Sequence, residues 1–182
     1  GGNVEEDGHI VLRGSFKNWL LFDADDGSGR ALWRSNGTPA GTQRLFDLHP
    51  AANSSGVSFV RPIDEVFYFV GDDGVTGAEL WVSDGTAQGT ALVKDINQGP
   101  GDGGIASFAT QLHDRIYFAA NDGISGLELW TSDGTESGTT MVADIGAGAI
   151  DGLRSTSAGI ARVGTQLYFS ADASNGAGNW EL

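Results

Sequence analysis

A run of twelve residues occurs three times in this chain. Residues 31–42 read ALWRSNGTPAGT, residues 79–90 read ELWVSDGTAQGT and residues 128–139 read ELWTSDGTESGT. A fourth copy opens at Glu181-Leu182. Trp33, Trp81 and Trp130 therefore recur every 48 or 49 residues, the spacing of one small supersecondary unit. Such a unit cannot bury both of its faces alone, so the period demands that copies stack on one another.

The third copy shows what one unit contains. Residues 107–112, 115–120, 127–131 and 139–145 alternate or are rich in aromatic and β-branched side chains, and each reads as a strand. His113-Asp114 makes a tight turn between the first two. No segment keeps an apolar period of 3.6 residues, so helix is not expected. Four short antiparallel strands at this repeat length predict an all-β β-propeller built from blades of about 48 residues. The units fall near 8–52, 53–101, 102–150 and 151–182, the last one incomplete. The chain then reads as a propeller, or a section of a longer array. A ring closed by residues 2–5 is the alternative, but Val4 is the only apolar residue before Ile10. Each blade would place its tryptophan and its Tyr-Phe pair between neighbouring sheets.

Gly37, Gly85 and Gly134 follow Asn36, Asp84 and Asp133. An Asn or Asp side chain bonds the backbone two residues on, and glycine accepts positive φ, so these pairs read as structural turns. Asn36 keeps the turn without the charge, which argues for geometry over catalysis at this position.

Composition sets limits on partners. The 24 acidic residues against 10 basic ones give a formal charge of −14. Nucleic acid and anionic membrane surfaces would be repelled, and no apolar run reaches the roughly 20 residues that span a bilayer. Cysteine is absent, which removes disulfides, thiolate zinc sites and cysteine nucleophiles. The first seven residues do not read as a signal peptide.

The pattern Glu-Leu-Trp-x-x-Asp-Gly-Thr-x-x-Gly-Thr resembles the ELWxxDGT repeats of large exported bacterial proteins. The resemblance covers nearly the whole chain from about residue 10, with departures at Ala31 and Asn36. It implies propeller-like domains and a secreted or cell-surface setting. It implies no catalytic residues.

Several groups are candidate sites. Asp23, Asp25, Asp26, Asp72 and Asp73 lie in acidic glycine loops of the kind that hold calcium, although the Asp-x-Asp-x-Asp-Gly spacing is missing. The competing reading is solvated turn aspartates; no other cofactor is expected. Asp47, Asp95 and Asp144 recur at the end of the fourth strand, where they would ring a channel and bind cations or sugar hydroxyls, or else bond backbone groups. Trp19 and Trp180 stand outside the repeat position and are the candidates for stacking on a sugar. His9, His49 and His113 occupy unrelated positions and do not suggest zinc, and the letters G-x-G-x-x-G at 99–104 lack a following helix.

Repetition without an asymmetric catalytic cluster points to a non-enzymatic binding or scaffolding module whose ligand is a glycan or a protein. The alternatives are a polysaccharide-active hydrolase or lyase on a propeller scaffold, and a calcium-stabilised spacer. Self-association that completes the propeller is a further expectation.

Overall fold

The computed structural model describes residues 10–47, 57–105, 109–153, 160–172 and 180–181. All regular structure among them is strand. The first sheet holds β1 (Val11–Phe16), β2 (Trp19–Asp25), β3 (Arg30–Ser35) and β4 (Gln43–Asp47). The second holds β5 (Ser58–Ile63), β6 (Val66–Asp72), β7 (Ala78–Ser83) and β8 (Thr90–Lys94). The third holds β9 (Ala109–Leu112), β10 (Arg115–Asn121), β11 (Leu127–Ser132) and β12 (Thr140–Ala143). Each is a simple antiparallel meander in chain order, as alternating strands joined by short turns require.

Register repeats with the sequence. Trp33, Trp81 and Trp130 lie opposite Phe22, Phe69 and Phe118. In every sheet the pairing of the third and fourth strands shifts between the Leu and the Trp of the motif. The fourth strand of the third sheet is shorter than 139–145, because Asp144 and Ile145 leave the ladder and the Ile145 N–H turns to a side chain instead.

Among the described residues the fourth unit shows two ribbons: β13 (Ala161–Val163) with β14 (Gln166–Tyr168), and β15 (Ala171–Asp172) with β16 (Trp180–Glu181). Glu181 lies opposite Ala171 as Glu128 lies opposite Ala120. The fourth copy thus keeps the common register, and Trp180 occupies the position of Leu127.

The hairpin between first and second strands has two loop residues, and its first residue has positive φ: 53° at Lys17, 51° at Asp64, 57° at His113 and 63° at Gly164. Only the fourth copy uses glycine, the residue suited to that conformation.

The sheets stack, with an apolar layer between each consecutive pair. Phe16, Leu21, Leu32 and Leu45 of the first sheet meet Phe67, Phe69 and Trp81 of the second. Tyr68, Leu80 and Val93 on the other face of the second meet Ile116, Phe118 and Trp130. Ala119, Leu127 and Leu129 meet Leu153, Ile160 and Phe169 of the fourth unit. First strands lie side by side, β1 by β5 and β9 by β13. Phe46 packs on Trp81 with ring centroids 4.3 Å apart, and Phe16 on Phe67 at 5.1 Å. Trp81 and Trp130 are buried between sheets, as the period demands. Trp33 is half-buried, because among the described residues no sheet lies against that face of the first one.

Candidate functional site

The motif residues form a closed set of hydrogen bonds. In the second copy Asp84 Oδ1 accepts from the Thr86 N–H at 2.8 Å and from its hydroxyl at 2.7 Å. Thr86 Oγ1 in turn accepts from the Gly89 N–H at 3.0 Å, and Thr90 donates to the Thr86 carbonyl at 2.7 Å. Ser83 Oγ shares a 2.8 Å bond with Thr90 and accepts from the Gly85 N–H. The same bonds recur around Asn36 and around Asp133. Gly37, Gly85 and Gly134 adopt φ of 84°, 90° and 88°, a region that favours glycine. The carboxyl pKa values of Asp84 and Asp133 lie below the ordinary value, because the hydroxyl and then the N–H of the following threonine stabilise the charged form. These positions serve the turn.

The Glu of the motif has a different task. Glu128 is fully buried, and its carboxylate accepts from the N–H groups of Ile145 at 3.0 Å, Gly146 at 2.9 Å and Gly152 at 2.9 Å. These donors belong to the segment that leaves the third sheet for the fourth unit, so the side chain clamps the connection between units. A Cβ on Gly152 would fall 2.5 Å from the Glu128 oxygens, which explains a glycine there. Glu79, also fully buried, holds the Asn97 N–H at 3.1 Å, and Gly103 lies against it as Gly152 lies against Glu128. Here the clamp is incomplete. The Gly103 N–H donates to the Ala78 carbonyl, and Glu79 Oε2 has no partner among the described residues. Burial, opposed by the N–H groups of Asn97 and Ile96, pushes the Glu79 carboxyl up to about 7, and the Asp95 and Asp102 carboxylates add to the rise. A neutral side chain such as Ala31 cannot serve in the first copy. Asp23 stands in from the neighbouring strand, 0% exposed, accepting from the Val57 N–H at 3.1 Å and from Arg13 Nε at 2.7 Å. Burial raises its pKa against those bonds.

This corrects the grouping of Asp23 with the acidic loop. Strand alternation turns it into the layer between sheets, while Asp25 and Asp26 continue into the turn. Asp25 Oδ1 accepts from the N–H groups of Gly27 and Gly29, and Asp26 Oδ1 from Ser28 and from Arg44. Asp72 holds the Gly74 N–H, and Asp73 the Val75 and Thr76 N–H groups. Among the described residues no three His, Cys, Asp or Glu side chains converge to hold a metal ion.

Asp47, Asp95 and Asp144 do not share one environment. Asp47 is exposed and ion-paired with Arg44, Asp95 accepts from the Gly99 N–H at 3.2 Å, and Asp144 is exposed. Trp19 is half-buried under the Arg34 guanidinium, 4.1 Å from the ring centroid, and that Arg also donates to the Gly85 carbonyl of the next sheet. The Trp180 side chain lies outside the described residues.

A cleft of about 480 Å³ opens where the segment after β8 meets the β10–β11 turn, lined by Ile96, Asn97, Gln98, Asp122, Ile124 and Trp130. Of these only Asp122 stood out in the sequence as a candidate ligand, in an acidic loop weighed for calcium. The cleft brings two amides and a carboxylate beside apolar side chains, a composition suited to a polar, uncharged ligand.

No family model and no curated protein matches the chain. Among solved structures it is similar to an alpha-L-arabinofuranosidase from Clostridium thermocellum ATCC 27405, at 16% identity and a TM-score of 0.28. The match covers 90% of this chain and 59% of that one, and a likeness of this size carries no argument about fold or activity.

Proposed function

We propose that this chain is a binding or scaffolding module of an exported bacterial protein, built from propeller blades and engaging a glycan or a protein. The observation that supports this reading is the use made of the repeated motif. Its Asp, Gly, Thr and Ser positions close the turn, and its Glu clamps one unit to the next. The twelve-residue motif is therefore devoted largely to the turn and to stacking, which suits a scaffold whose ligand meets the loops between strands. The cleft beside Asn97, Gln98 and Asp122 is the docking place we assign, through amide and carboxylate bonds to hydroxyl groups.

Binding and turnover should be measured together on a panel of acidic and neutral polysaccharides. Retention of a polysaccharide without new reducing ends, weakened by Gln98→Ala, is the expected result. Turnover abolished by a single Asp→Asn change overturns the reading in favour of an enzyme.

A further inference from the structure

We infer that Asn36 is a modification site: it loses its side-chain amide spontaneously and becomes aspartate or isoaspartate, at a rate set by the opening of its own turn. The site is separate from the cleft and needs no ligand.

Among the described residues Asn36 is the asparagine that precedes a glycine. Gly37 has no Cβ to hinder the approach of its nitrogen to the side chain before it. Asn36 is exposed, and so are Asp84 and Asp133, which hold the same position in sheets that have another sheet before them. Exposure here therefore follows from the place in the repeat and not from what precedes the first sheet. The atom that leaves is the least engaged one. Asn36 Oδ1 accepts from the Thr38 N–H at 3.1 Å and from its hydroxyl at 2.7 Å, while Nδ2 makes no hydrogen bond among the described residues. Asp84 and Asp133 carry an oxygen in place of that nitrogen and keep both bonds, to Thr86 and to Thr135. The aspartate product is thus a turn that the chain already builds twice.

The chemistry uses only the chain and water. The Gly37 nitrogen gives up its proton and attacks Asn36 Cγ. A C–N bond closes a five-membered imide, and the Asn36 nitrogen leaves as ammonia with the proton that Gly37 released. Water then opens the imide. Hydrolysis at Cγ restores the main chain and leaves aspartate. Hydrolysis at the other carbonyl routes the main chain through the side chain, as isoaspartate.

The closed turn opposes the first step. The Gly37 N–H donates to Ser35 Oγ at 3.1 Å, so the attacking nitrogen is held by a hydroxyl. Thr38 fixes Asn36 Oδ1, and its own Oγ1 accepts from the Gly41 N–H at 3.0 Å. Gly41 lies so close to the Asn36 amide that a Cβ there would overlap it. Ring closure brings the Gly37 nitrogen onto Asn36 Cγ, so the bonds to Ser35 and Thr38 must break first. Isoaspartate adds a main-chain carbon between positions 36 and 37, so the bonds to Thr38 cannot re-form, whereas aspartate restores them.

The full chain should be incubated in mildly alkaline buffer, folded or in urea, and then digested with trypsin. Mass spectrometry of the peptide between Arg34 and Arg44 reads the conversion, with the two acid forms separated; Asn175-Gly176, the other Asn-Gly pair of the chain, falls in another peptide. Asn36 should convert in the folded chain about a hundredfold more slowly than in urea, since three bonds each worth about a fivefold shift hold the turn shut. Thr38→Ala should speed the folded rate about fivefold or more. Thr86→Ala, the matched loss in the second copy, should leave that rate unchanged. The aspartate form should unfold at the same urea concentration as Asn36→Asp, and the isoaspartate form at a lower one. A folded rate equal to the unfolded one, or below about a thousandth of it, overturns the inference on the wild type alone, whatever the folding of the variants. Conversion that ignores Thr38→Ala, or that Thr86→Ala accelerates equally, overturns the role given to the turn.

Discussion

Glu79 offers the most direct test of the clamp between units. Its carboxyl is raised from the ordinary 4.5 to about 7 in the folded chain, chiefly by burial. Between those two values the unfolded chain has released the proton and the folded chain still holds it. The folded state then binds more protons, so stability falls as pH rises through this window and levels off above it. A gap of this size corresponds to about 3 kcal/mol at most. Glu79→Gln imitates the protonated form: its oxygen keeps the Asn97 N–H, and its NH2 group replaces an oxygen that has no partner among the described residues. The variant should equal the wild type near pH 4 and exceed it by about 3 kcal/mol near pH 8. Urea unfolding followed by tryptophan fluorescence at a series of pH values measures the difference. The lowered turn carboxylates, Asp26, Asp73, Asp84, Asp122 and Asp133, act elsewhere. Their stability is present above the ordinary 3.8 and is lost only as pH falls below it. Asp23 is raised too, but it is common to both proteins and cancels. A difference between variant and wild type that stays flat from about pH 5 to about pH 8 refutes the argument.

Other perturbations separate the remaining roles. Glu128→Gln keeps one acceptor oxygen where three N–H groups need two, so it should destabilise by about 1–3 kcal/mol at neutral pH, seen as a lower urea midpoint. Asp84→Asn should cost less than about 0.5 kcal/mol, because Asn36 performs the same task, while Asp84→Ala should cost about 1–2 kcal/mol in the same assay. Trp81→Ala, emptying the layer between sheets, should cost about 3–5 kcal/mol and Trp33→Ala clearly less; equal losses by chemical denaturation would contradict the stacking. Asp64→Gly should raise the melting temperature slightly, by up to about 1 kcal/mol in stability, because glycine relieves a positive φ.

The repeat made the sheets legible. Alternation in 115–120 and 127–131 placed two strands to within one residue, because a buried strand flanked by turn residues has few other conformations. The 139–145 strand came out too long, since nothing local shows that Ile145 abandons the ladder for Glu128. The Asn36 departure pointed to the turn, and its side chain makes the bonds to Thr38 that Asp84 makes to Thr86. The other departure, Ala31, carries a signal of its own: a motif missing its Glu needs a carboxylate from elsewhere. Asp23, flanked by Phe22 and Ala24 in an apolar strand, was that carboxylate, but in the sequence it looked like part of the Asp25-Asp26 turn. The cleft was not legible because its residues come from two units that the chain brings together only on folding.

The grip of Glu128 on its neighbour touches only main-chain N–H groups. Apart from a glycine that leaves room, the gripped segment is free to change its side chains without loosening the joint. A duplicated unit can therefore be inserted, and its outer loops can diverge, while the joinery stays the same. Chains of this kind are set up to lengthen by whole cassettes and to vary what they display at a fixed spacing.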